Sequence, residues 1–309
     1  MTVLNRRTLL TTAALGLATT ACGTGPTPRD LTIASGEPGG FYLEFGQLLA
    51  AEINAEDPAL RATAQPTTGS QDNLARLATG RAHLALVLTD TAQATVAART
   101  PLHAIGRVYE NYLQLVVLAS GPIHTVADLA GRTISLGAEG SGAELTGRRL
   151  LAATGLHTAV TVTHYPLADA VSELRAGRID AVLWSGGVPT PALASLATQR
   201  GIRLLPLGEH LPALRAAYDS TYERVTVPAD AYPPSPETTT IGVANLLVCR
   251  PDADPAIVAT ATRVLVTHAP RLVPQQALGT QFLDPRNLIA TDDIPLHPAA
   301  ASTYRTLHG

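Results

Sequence analysis

The chain has 309 residues, 46% of them hydrophobic and 15% charged, with a formal net charge of −3 at pH 7. That length holds two domains of ordinary size, and that charge gives no electrostatic case for nucleic acid as a partner. There is no lysine, which excludes a Walker A lysine, a pyridoxal Schiff base and any lysine nucleophile.

The first residues read MTVLNRRTLLTTAALGLATTAC. Arg6 and Arg7 precede an apolar run of about fourteen residues, too short to span a bilayer. The pattern resembles a twin-arginine export signal, and Thr20-Ala21-Cys22 resembles a lipobox. Residues 1–22 are therefore expected to be a lipoprotein export signal, cleaved before Cys22 with lipidation of that cysteine. Ordinary cleavage after Ala21 without a lipid is the alternative. Residues 23–30, rich in Gly, Thr and Pro, then form a tether. The other cysteine, Cys249, lies in an apolar run and reads as a small buried hydrophobe.

Leu31 to Ser35 is expected as the first strand, Gly36-Glu37-Pro38-Gly39-Gly40 as a turn, and Phe41 to Asn54 as a helix with Phe45, Leu48, Leu49 and Ile53 on one face. Arg61 to Pro66 is a short strand closed by Thr67-Thr68-Gly69-Ser70. Ser70 is placed as the N-cap of a helix over Gln71 to Thr79 that contains Asn73. Leu84 to Leu88 is a strand, and Thr89-Asp90 is its polar end. In an open parallel sheet such strand ends lie along one edge, where ligands bind.

The same plan then recurs. Residues from Arg132 repeat those from Leu31 without a gap, offset by 101, so that Gly36, Gly39 and Gly46 fall on Gly137, Gly140 and Gly147. Leu77 to Leu86 matches Leu174 to Leu183, offset by 97. The turn Gly140-Ser141-Gly142 opens the second copy's helix. Its first N–H groups and the positive end of its dipole suit an anion. Ser141 is either a ligand contact or merely the cap of that helix. Ala181 to Trp184 is a buried strand ending in Ser185-Gly186-Gly187, and Val188-Pro189-Thr190-Pro191 starts another helix. Two segments, Ala104 to Leu118 and Thr240 to Cys249, are long enough to cross between two lobes. Tyr222 to Pro236 is expected to be an irregular, Pro-rich connector. The implied organisation is a discontinuous first lobe, residues 31–117 with 239–309, and a second lobe, residues 118–238, joined by a hinge of two strands.

Catalytic signatures are missing. There is no G-x-S-x-G, H-E-x-x-H or C-x-x-C, and no pair of His at helical spacing, which argues against an enzyme and against a metal centre. The Gly turns lack the dinucleotide pattern, and no acidic residue ends the second strand, so no cofactor is expected. What remains are loops of Gly, Ser, Thr, Asn and Asp at strand ends in both lobes. Any one of them alone is explained by ordinary capping. Together they suit a small ligand held in a cleft by backbone N–H groups and short side chains.

Thr32-Ile33 through Gly39-Gly40-Phe41-Tyr42, Thr68-Gly69-Ser70-Gln71-Asp72-Asn73-Leu74, Gly80 to Asp90, Gly137 to Gly142, Gly177-Arg178-Ile179-Asp180-Ala181 with Trp184, Pro189-Thr190-Pro191 and the tail Ile294 to Ala300 resemble, in that order, the TAXI family. These are solute-binding proteins of tripartite ATP-independent periplasmic (TRAP) transporters. The resemblance implies an α/β type II periplasmic-binding-protein fold and an extracytoplasmic, membrane-anchored receptor that delivers a small organic acid or amino acid, glutamate among them, to a TRAP-type permease. A ligand-sensing subunit that docks a receptor kinase is the alternative. The expected ligand-binding residues are Gly39, Gly40, Tyr42, Thr68, Ser70, Asn73, Thr89 and Asp90 in one lobe, facing Gly140, Ser141, Gly142, Trp184, Ser185 and Gly186 in the other. Arg107 is the nearest candidate cation for a carboxylate.

Overall fold

The computed structural model describes residues 28–218, 221–275, 277, 283 and 286–308. The export signal, Cys22 and most of the tether lie outside these.

The chain begins with β1 (Arg29–Ala34), α1 (Phe41–Glu56), β2 (Leu60–Gln65), α2 (Ser70–Ala78), β3 (Leu84–Leu88) and α3 (Thr89–Ala97). The long strand β4 (His103–Leu118) follows. It leads into β5 (Thr133–Ser135), α4 (Gly142–Ala153), β6 (Thr161–Thr163), α5 (Leu167–Arg175), β7 (Ala181–Gly186), α6 (Pro191–Arg200) and β8 (Ile202–Leu204). Then come α7 (Leu211–Tyr218), β9 (Tyr222–Val227), β10 (Thr238–Cys249), α8 (Pro255–Thr267) and α9 (Pro298–His308).

The repeat seen in the sequence is structural. At an offset of 101, α1 and α4 start at equivalent positions, Phe41 and Gly142, as do β2 and β6, Leu60 and Thr161. At an offset of 97, both ends of α2 coincide with both ends of α5. In each copy the strand-to-helix turn needs a positive φ, which glycine alone adopts at no steric cost: 79° at Gly39 and 77° at Gly140.

Ten strands share one sheet in the order β2-β1-β3-β10-β4-β7-β5-β6, with β8 beside β4 and β9 beside β10. Parallel pairs β1–β2 and β1–β3 build one half, and β5–β6 and β5–β7 build the other. The two long strands tie the halves together. β4 pairs with β10 from His103 to Tyr112 and with β7 from Tyr112 to Val116. β10 pairs with β9 at its start and with β3 at its end. Each half has its own core. Phe45, Leu49, Ile53, Val258, Leu265 and Tyr304 pack in the first, and Leu113, Ile134, Leu150, Leu183 and Tyr222 in the second. Leu88, at the end of β3, is buried in the second core rather than the first.

Two expectations are corrected here. Tyr222 to Val227 is not irregular connector but β9, paired residue by residue with Val243 to Thr238. The prolines begin only at Pro228, so the segment before them is free to donate to a ladder. Thr89 and Asp90 are not a loop at the end of β3. Leu88 is extended and α3 begins at once with Thr89.

Candidate functional site

The two Gly turns, the start of α2 and the end of β7 meet at the seam between the halves. They enclose a cavity of about 40 Å³, room for two or three waters at roughly 10–15 Å³ each. The first half contributes Gly36, Gly40, Tyr42, Thr68, Ser70 and Leu88. The second contributes Ser141, Gly142, Ala143, Trp184, Ser185 and Gly186. Asn111, from the crossing point of β4, completes the wall, with Glu37, Phe41 and Gly69 at its edges.

Tyr42 directs its hydroxyl at Ser70, Oη to Oγ 3.3 Å, and burial keeps that phenol protonated. Ser70 Oγ also accepts the Leu88 N–H at 3.0 Å. Ser70 is therefore the first residue of α2 and a brace to the end of β3, not the N-cap the sequence suggested; Gly69 takes the cap position at φ 123°. Trp184 gives its indole N–H to Thr190 Oγ1 at 3.1 Å, so it offers the cavity ring surface alone. Ser141 caps α4, its Oγ accepting the Glu144 N–H at 3.1 Å. That bond leaves its own O–H free to donate. The cap reading and the cavity-lining reading of Ser141 thus both describe it.

Five residues expected at the ligand do not line this cavity. Asn73 is fully buried and donates to the carbonyls of Ser35 and Leu86, tying β1 to β3. Thr89 donates to the Ala244 carbonyl at 3.0 Å. Asp90, 0% exposed, accepts from Thr146 Oγ1 at 2.7 Å and Tyr222 Oη at 3.0 Å, with Arg149 Nη1 at 3.7 Å. It is a brace from α3 to α4 and β9. Gly39 and Gly140 set the turns through their positive φ without lining the cavity. Arg107 is spoken for by Glu110 at 2.7 Å and Glu223 at 3.2 Å, and it too lies outside the lining. Burial raises the Glu110 carboxyl to about 7, against the pull of Arg107.

Sequence reasoning missed Glu37 and Asn111. Glu37 reaches across the seam: its Oε2 accepts the Leu167 N–H at 2.7 Å, at the start of α5, a helix whose own cap residue, Pro166, makes no side-chain bond. Burial raises its carboxyl above the ordinary value. The opposite contact has the same form. The Gly140 carbonyl of the second half accepts the N–H groups of Gln71 and Asp72, each at 3.1 Å, at the start of α2. Gln71 Nε2 adds a bond to the Ser141 carbonyl at 2.8 Å. Because α2 and α5 are repeat equivalents, each half caps the other's equivalent helix. The signal for Asn111 was in the sequence: Glu110-Asn111 interrupts the apolar run from Val108 to Leu113 in β4.

A two-half α/β molecule with hinge strands and a polar cavity at the seam has the architecture of periplasmic solute-binding proteins. Solved structures of that class share the fold. A putative L-cystine ABC transporter protein from Listeria monocytogenes is similar at 14% identity, over 79% of this chain and 92% of that one, with a TM-score of 0.53. A variant of ArgBP from T. maritima is similar at 15% identity, over 76% and 87%, with a TM-score of 0.51. The alkanesulfonate-binding protein SsuA from Xanthomonas axonopodis pv. citri, bound to MOPS, is similar at 19% identity, over 92% and 85%, with a TM-score of 0.50. The model of the NMT1-like family matches residues 33–306, and the chain belongs to that family.

Proposed function

We propose that this protein is an extracytoplasmic receptor, not an enzyme, that binds a small organic acid or amino acid at the seam and hands it to a membrane permease. The observation that carries the reading is the cavity itself, walled from both halves by short polar side chains and by the starts of α1 and α4. A solute there touches both halves at once, so binding and closure are linked. The lobes in this reading are residues 31–117 with 239–309, and 118–238. A cavity of this size takes a solute of few heavy atoms as the halves now stand, and a glutamate-like one by parting them. The matches described in the sequence support a permease of the TRAP type, and Ala21-Cys22 supports a lipid anchor in the cell membrane. The likeness to the alkanesulfonate-binding protein SsuA is in keeping with a solute receptor.

Native mass spectrometry of the freshly purified mature protein tests this, followed by calorimetric titration with whatever small acid or amino acid is released. A tightly held solute of that class is expected. Release of a different class of molecule, or turnover of the solute on standing, would overturn the reading.

A further inference from the structure

Resting on the receptor reading just given, we propose that Asn111 selects the solute by accepting a hydrogen bond from it, so that the cavity prefers solutes bearing an amine over the corresponding simple acids. Asn111 is 3% exposed and lines the cavity. Its Nδ2 donates toward the Ser185 carbonyl at 3.3 Å and Oγ at 3.4 Å. Its Oδ1 is buried and makes no hydrogen bond among the described residues. A buried amide oxygen with no protein donor is costly unless something in the cavity donates to it.

The rest of the wall says what kind of donor fits. No Arg, His or Lys lines the cavity. Among the described lining residues the one carboxylate is Glu37, whose charge favours a cationic head beside it. The starts of α1 and α4 supply positive dipole ends for a carboxylate at the other end of the same solute. Asn111 is also held firmly. It sits where β4 turns from β10 to β7: its main chain pairs with Val243 of β10 and its Nδ2 reaches Ser185 of β7, which together hold the amide in place.

The test is calorimetric titration of the mature protein with two matched sets. One is L-alanine, L-lactate and propionate; the other is L-glutamate, L-2-hydroxyglutarate and glutarate. The amine of at least one set is expected to bind at least tenfold more tightly than its simple acid, as loss of a hydrogen bond to a charged group requires. In Asn111→Leu that preference should shrink to within about threefold, while Asn111→Asp, which keeps an acceptor, should retain it. If Asn111→Leu does not fold, the wild-type preference and its persistence in Asn111→Asp decide the matter. A simple acid or hydroxy acid that binds as well as its amine overturns this inference and leaves the receptor reading standing. So does an amine preference that survives Asn111→Leu. Failure of all six to bind overturns the receptor reading for acids and amino acids, and this inference with it.

Discussion

Gly142 is one of the places where the two halves pack tightly against each other, and a single methyl there tests the closure. A Cβ on Gly142 would stand 2.6 Å from Leu88 Cδ1 and 2.6 Å from Ser70 Oγ, with Leu88 Cγ at 3.1 Å. Real Cβ contacts essentially never fall below 3.0 Å and nine in ten lie at 3.4 Å or beyond, so one side must retreat by roughly half an ångström or more. Leu88 is buried in the second core and Ser70 is fixed by Leu88 N–H and Tyr42, which leaves the seam itself to give. Overpacking of this order costs about 1–3 kcal/mol. Taken up by parting the halves, it lowers the closed population roughly five- to 150-fold. Alanine within a helix favours folding over glycine, so Gly142→Ala should leave the urea midpoint unchanged or raised. Small-angle scattering should then show a larger radius of gyration than wild type, and Gly142→Val a larger one still. The mechanism is a wedge against Leu88. An unchanged radius combined with a lowered urea midpoint would refute it, because the strain would then lie within a half rather than between halves.

Ser141→Ala removes the bond that Glu144 N–H makes to Ser141 Oγ, a loss of about 1 kcal/mol; thermal melting should fall by a few degrees. The Glu110 carboxyl, raised from 4.5 to about 7 by burial, faces Arg107, Glu223 and Asp292. A raised acid contributes stability that is complete below 4.5 and is lost as pH rises through 7. That loss amounts to about 3 kcal/mol at most. Urea denaturation at pH 5 and pH 8 should show wild type weakening by more than Glu110→Gln, and equal changes in the two would refute the assignment. Cys22→Ala should move the protein from the membrane to the soluble fraction of cells, and continued membrane retention would remove the lipid anchor.

The fold was legible because the repeat is a property of the residues. Glycines at fixed offsets force the same turns, and the helices after them begin in register. The strands with clear apolar runs, such as Leu84 to Leu88, fell where the pattern put them. β9 did not, because its prolines lie downstream and its partner, β10, is nearby in space but separated by the Pro-rich segment. The site was legible only in part. Short polar residues at strand ends are chosen both for ligands and for bracing the sheet, and one sequence does not separate the uses. Asn73, Thr89 and Asp90 turned inward to backbone carbonyls and to α4, whereas Tyr42, Ser70 and Ser185 stayed at the cavity. Glu37 was hidden because its partner, Leu167 N–H, lies 130 residues away and belongs to the other half.

The reciprocal capping of α2 and α5 separates two properties that such a molecule must keep. On one side of the seam the bonds run from main-chain N–H groups to the Gly140 main-chain carbonyl; on the other, Glu37 meets a main-chain N–H. Within these caps, only Glu37 and the Gln71 amide depend on side-chain identity. Of the residues that line the cavity, Asn111, Thr68 and Ser185 take no part in those caps. Substitutions at these three can therefore reshape the wall while the caps of α2 and α5 stay intact. A lineage built this way can diversify its diet without relearning how to shut.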